Sequence, residues 1–209
     1  MQGVGRTAGC LLAALAALGA AQAAAKPSKP AVHTDQAEIL KAFPSQVEPM
    51  THGVRLRLTT GAWAEVVDSP FAPSAAPVLC WYAPSLNVAG VCQLIPPDLN
   101  ITAVINLRNG RRMSLPGHLA LSPEPGLLTV GADPKDRADS MSLVRVSADD
   151  VFEEGDVSFD EGVGPAGWAG PGCFRLNTKA GKAWLEKRGR RWLQVSPARS
   201  KVCQKRYGG

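Results

Sequence analysis

One glycine pattern in the 209-residue chain has the spacing of a phosphate cradle. "GVGPAG", residues 162–167, reads as the G-x-G-x-x-G with which a loop holds a dinucleotide pyrophosphate. That chemistry needs a buried strand before the glycines and a helix after them whose free N–H groups face the anion. The flanks supply neither. "DVSFDE" precedes the motif and repels a pyrophosphate, while Gly170, Pro171 and Gly172 in the following "WAGPGCF" forbid a helix. Pro165 also removes one backbone donor from the loop itself. The expectation is a glycine-rich connection between strands, with Trp168 folded onto the core and no cofactor.

Other chemistry-bearing residues are sparse. From Asp133 to Glu161 there are ten carboxylates against three cations, a net −7. "DPKDRAD" and "DVSFDEG" could each offer oxygens to calcium, but neither has the D-x-D-x-D-G spacing, and solvated turns are the expectation. No G-x-S-x-G, H-E-x-x-H or P-loop occurs. His118 lies four residues before Ser122, in a stretch whose Pro116 and Gly117 indicate a loop, so a hydrolase with an unrecognised site is the weakest of three functional readings. No catalytic or metal-binding residue is assigned.

The C-terminal segment has the opposite charge. Arg175 to Gly209 holds eleven basic residues and one acid, Glu186, a net +10, interleaved with Trp184, Trp192 and Tyr207. Trp184, Arg188, Arg190, Arg191 and Trp192 are the candidate binding residues. They suit a polyanion, a glycan or an acidic protein face; the competing possibility is that the −7 and +10 stretches face each other within one fold.

The compartment follows from the first residues and the cysteines. Arg6, the apolar run Cys10 to Ala21 and the small-residue "AQAAA" form a signal peptide over residues 1–25, with Ala21-Gln22-Ala23 and Ala23-Ala24-Ala25 both fitting an A-x-A cleavage site. Its removal takes Cys10 and leaves Cys80, Cys92, Cys173 and Cys203, an even set that indicates two disulfides in an exported protein. Three connectivities are possible, and loop closure favours the local pairs 80 with 92 and 173 with 203. No later apolar run is long enough to span a membrane. A periplasmic or secreted location follows, and with it no nucleic-acid partner.

These residues must be positioned by strands. Residues 26–47 read as a polar tether in which "AEILKAF" makes a short helix before Pro44. From residue 53 the apolar period becomes two: "VRLRL" and "AWAEVV" flank a turn at Thr59-Thr60-Gly61. "VLCWYA", "GVCQLI", "ITAVINL", "LALS", "LLTVGA", "MSLVRVS", "FRLNT" and "RRWLQV" continue the series, with Asn109-Gly110 as a hairpin turn. About ten short strands separated by turn residues indicate an all-β domain over residues 48–196, followed by a basic tail, 197–209.

"INLRNGRRMSLPGHLALSPEPGLLTVGA", Ile105 to Ala132, resembles one repeat of the TolB/WD40-like β-propeller family, in which a strand, a Gly-containing turn, a Ser-Pro-Asp-Gly turn and a second strand follow one another. Asn109-Gly110 and Ser122-Pro123-Glu124-Pro125-Gly126 carry the likeness, with Glu124 in place of Asp and Pro125 inserted. "MSLVRVSADDVFEEGDVSF" echoes it more weakly as a next blade. Blades need about 40–45 residues each and closed propellers at least four, so 149 residues are too few. The expectation is an antiparallel β-meander of propeller-blade-like sheets, not closed. The expected role is that of an exported, non-catalytic accessory protein that recognises a protein partner or envelope component, with polyanion or glycan binding through the C-terminal residues as the alternative.

Overall fold

The computed structural model describes residues 31–67, 76–95, 99–131, 140–158, 164–179 and 181–208. Residues 1–25, expected as a signal peptide, "DPKDRAD" and most of "DVSFDEG" lie outside these residues. Four antiparallel sheets follow one another along the chain, each a simple meander. The first holds β1 (Val47–Met50), β2 (Gly53–Arg57) and β3 (Trp63–Val67). The second holds β4 (Val78–Ala83), β5 (Val88–Ile95), β6 (Leu99–Asn106) and β7 (Arg112–Pro116). The third is built from β8 (His118–Leu121), β9 (Leu127–Gly131), β10 (Ser140–Val146) and β11 (Val151–Ser158). The fourth is built from β12 (Gly164–Gly170), β13 (Cys173–Thr178), β14 (Gly181–Arg188) and β15 (Arg191–Val195). The expected architecture is present: an all-β set of blade-like meanders, none closed on itself.

Three apolar layers join the sheets in chain order. Val54, Leu56 and Val66 of the first sheet meet Leu79, Ala89, Val91 and Ile105 of the second. The other face of the second sheet, with Val88 and Val104, meets Leu128, Val130 and Val144 of the third. Leu127, Met141 and Leu143 then meet Phe174, Leu176 and Leu185 of the fourth. The middle sheets are thus covered on both faces, which is why "ITAVINL" and "LLTVG" are continuous apolar runs. "VRLRL" alternates because the first sheet is covered on one face only.

Polar groups trapped between the middle sheets find partners. Asn106 is fully buried; its amide donates to the Ser147 carbonyl at 2.9 Å and its oxygen accepts the Arg108 N–H at 2.8 Å. The Asn109-Gly110 turn forms as expected, with Gly110 at φ +77° and the Asn109 side chain donating to the Asp149 carbonyl. These bonds pin a turn of the second sheet on a turn of the third.

Both ends of the domain are packed. Asp35 caps α1 (Gln36–Ala42) by accepting the Glu38 N–H, and the helix inserts Ile39, with no exposed surface, into the first apolar layer. His33 pairs backbone to backbone with Tyr82 on β4. Past β15 a short turn, Pro197–Arg199, leads to α2 (Cys203–Tyr207). The disulfides are the local pairs: Cys80–Cys92 joins β4 to β5, and Cys173–Cys203 ties β13 to α2. No helix among the described residues is long and apolar enough to cross a membrane.

Candidate functional site

Strand parity divides the basic C-terminal residues between the two faces of the fourth sheet. Phe174, Leu176, Ala183 and Leu185 turn toward the third sheet. Cys173, Arg175, Trp184, Glu186 and Arg188 therefore alternate onto the outer face, and the register pairs Arg188 with Arg191 and Trp184 with Val195. The tail and α2 fold back over that face, so Cys203 and Trp184 pack together with Tyr207 beside them. The Trp184 indole N–H donates to the Gln204 side chain at 2.9 Å.

Glu186 fastens this cover. Its side chain is 1% exposed, and its two oxygens accept from Ser200 Oγ at 2.6 Å, Arg188 Nε at 2.8 Å, and the backbone N–H groups of Val202 and Cys203 at 3.3 Å. Burial works against the charged form here. The hydrogen bonds from Ser200, Arg188, Cys203 and Val202 outweigh it and lower the pKa from 4.5 to about 2. The one acid of the segment is thus spent internally.

The five candidate residues do not form one patch. Trp184 is 5% exposed beneath the tail, and Arg188 is held by Glu186 and by the Arg199 carbonyl. Trp192 lies on the opposite face, half-buried against the third sheet, where its N–H donates to Glu154 and Trp168 meets it edge-on at 5.8 Å. Arg190 and Arg191 stand exposed at the β14–β15 hairpin. Around them the outer face and tail expose Arg175, Lys182, Arg199, Lys201, Lys205 and Arg206, together with the apolar side chains of Leu193 and Val202, each 38% exposed. The sequence reading did not include these two apolar residues or the ring of donors around Glu186. Only the register and the returning tail put them there.

Among the described residues, the acidic and basic stretches touch at Glu154. Lys187 points inward and pairs with Glu154 of β11 at 2.8 Å, beside Arg145, which bridges Glu154 and Glu124. Burial opposes the Glu154 charge, but hydrogen bonds from Lys187 and Arg145 prevail and hold its pKa below the ordinary carboxylate value. This half-buried quartet joins the third sheet to the fourth and leaves the outer-face cations uncompensated within their own segment.

Elsewhere the described residues place the other candidates in structural roles. Gly164–Gly167, the described part of the glycine motif, opens the edge strand β12 instead of forming a connection between strands; its two bulges are the setting in which a strand tolerates Pro165, and Trp168 packs edge-on against Phe174 at 5.1 Å. The Ser122 hydroxyl accepts the Glu124 N–H within its turn. His118 is exposed with a ring nitrogen 3.1 Å from the Asn100 amide. No protein-family model, curated protein or solved structure matches the chain.

Proposed function

We propose that the protein is an exported, non-catalytic binding protein that docks an acidic surface of a protein partner on the outer face of its fourth sheet. One observation carries this reading: the face and its tail expose cations, most of them arginines, while the segment's single carboxylate is buried and saturated with donors. Guanidinium groups pair with carboxylates in two-pronged fashion, and Arg beside exposed apolar residues such as Leu193 and Val202 is the composition of a protein interface. The disulfide Cys173–Cys203 and the Glu186 bonds hold the cover rigid, so little ordering cost falls on binding. Export rests on the signal-like first 25 residues, with which two disulfides agree.

The glycan form of the alternative reading needs Trp184 and Trp192 as stacking platforms, and both rings are engaged in packing. A sulfated or phosphorylated polymer needs only the cations and stands as the second reading.

Photo-crosslinking in the producing cell tests the first. A crosslinker at position 191 or 205 should trap a defined protein, whereas one at position 65 on the first sheet should not. Arg191→Glu with Arg199→Glu should weaken binding of that protein at least tenfold, and binding should fall with added salt. Crosslinks to no protein, with retention of the chain on a heparin column, would replace the protein reading by the polyanion one.

A further inference from the structure

The fourth sheet offers an edge as well as a face. β15 hydrogen-bonds to β14 on one side and to no strand on the other. The ladder decides which of its backbone groups are left over. In an antiparallel pair both backbone groups of a residue point to the same side, and the side alternates along the strand. Lys187 N–H donates to the Gly172 carbonyl at 2.9 Å, so Lys187 bonds toward β13. Its neighbours Glu186 and Arg188 bond toward β15, where the register sets them opposite Leu193 and Arg191. Trp192 and Gln194 therefore turn their N–H and C=O groups outward. Among the described residues no hydrogen bond engages the backbone of either.

The other described edges are blunted in the ways that keep strands from pairing at random. Pro49 interrupts β1, and the Glu65 carbonyl of β3 accepts Arg112 at 3.3 Å. β4 is paired with His33, and β7 carries Pro116. β8 is four residues long, β11 is bulged, and β12 holds Pro165 with two bulges. β15 has five residues, no proline and an unshifted register.

We propose that β15 takes up an extended segment of the protein partner as a fifth, antiparallel strand. This inference rests on the acidic-partner reading above and says how the partner is held. The outward groups of Trp192 and Gln194 supply the main-chain bonds, and the side chains beside them supply the selection. Arg191, Leu193 and Val195 form the close cross-strand pairs with the incoming strand, all on the outer face. Arg191 is exposed and Leu193 is 38% exposed. The segment that fits has a carboxylate opposite Arg191 and apolar residues opposite Leu193 and Val195, at alternate positions. A second copy of the chain fits less well, because residues 175–209 carry a net +10 and two copies would bring like charges together.

The test is titration of the full disulfide-bonded, isotope-labelled chain with acetyl-Thr-Val-Thr-Val-Thr-Glu-Thr-amide, read from the amide resonances of Trp192 and Gln194. Binding should saturate below about 1 mM and shift both amides. A copy N-methylated on the threonines either side of the central valine, whose N–H groups face the edge, should bind at least tenfold more weakly; N-methylation of the two valines should change nothing. Gln194→Pro removes an edge donor and no bond to β14, and should abolish saturation. Arg191→Glu should weaken binding at least tenfold and be rescued by the peptide with Lys in place of Glu. Equal binding of the edge-methylated peptide, an unaffected Gln194→Pro chain, no saturation in that range, or dimerisation of the chain through this edge would each overturn the proposal. In the producing cell, a partner still trapped from position 205 by the Gln194→Pro chain would overturn the edge pairing and leave the acidic-partner reading standing. No partner trapped by either chain would overturn both.

Discussion

Ser200 donates its hydroxyl to Glu186 at 2.6 Å, and through that bond the tail closes over a carboxylate that solvent does not reach. Glu186→Gln should therefore cost about 2–3 kcal/mol at pH 7, because Arg188 and two backbone donors lose a charged acceptor. The pH dependence has a definite sign. The folded pKa lies below the unfolded one, so the stabilisation is complete above about 4.5 and is lost as pH falls toward 2. Melting temperatures of both proteins between pH 7 and pH 2 should differ most at pH 7 and converge at the acid end. A constant gap would assign Glu186 a purely steric role.

The two disulfides should not be equivalent. They close sequence separations of 30 and 12 residues, which loop entropy values at about 4 and about 3 kcal/mol. Urea midpoints of Cys173→Ala/Cys203→Ala and Cys80→Ala/Cys92→Ala should fall in that order. The first variant should in addition expose Trp184, read as a red-shifted fluorescence before global unfolding.

Asn106 tests the joint between the middle sheets. Its amide donates to Ser147 and its oxygen accepts from Arg108, so one side chain serves both directions. Asn106→Asp keeps the shape but removes the donor, and should destabilise by roughly 2–3 kcal/mol at pH 7. Chemical denaturation of that single variant is sufficient. A change under 0.5 kcal/mol, within the usual scatter of surface substitutions, would show that the joint holds without it.

Ile39 asks whether the N-terminal helix belongs to the domain. It is wholly buried against the first apolar layer, so Ile39→Ala should cost about 2–4 kcal/mol. Removal of residues 26–44 should destabilise at least as much, measured by the same thermal melt.

The sequence was most informative where burial was simple. Alternation in "VRLRL" and continuity in "ITAVINL" distinguish a layer covered once from a layer covered twice, and both segments are strands as expected. β14 escaped notice because "GKAWLEKR" carries Lys182, Glu186, Lys187 and Arg188 along a strand at the heart of its sheet. Glu186 is tolerable there only because Ser200 and the amides beyond it return to meet it, a long-range arrangement that no local pattern records. The same limit applies to Trp184 and Trp192. They are eight residues apart in a basic run, but the hairpin between them sends one to each face of the sheet.

The stacking order has a consequence for assembly. Each sheet packs on the one encoded just before it, so a chain made from its N-terminus can add finished layers one at a time, with short loops to close and nothing to thread. The fourth layer is different. Its outer surface is covered by α2, which Cys203 ties to β13, so that face is closed by a segment that returns from beyond its own sheet. Without that cover, the fourth sheet would present an open face onto which a further layer could dock.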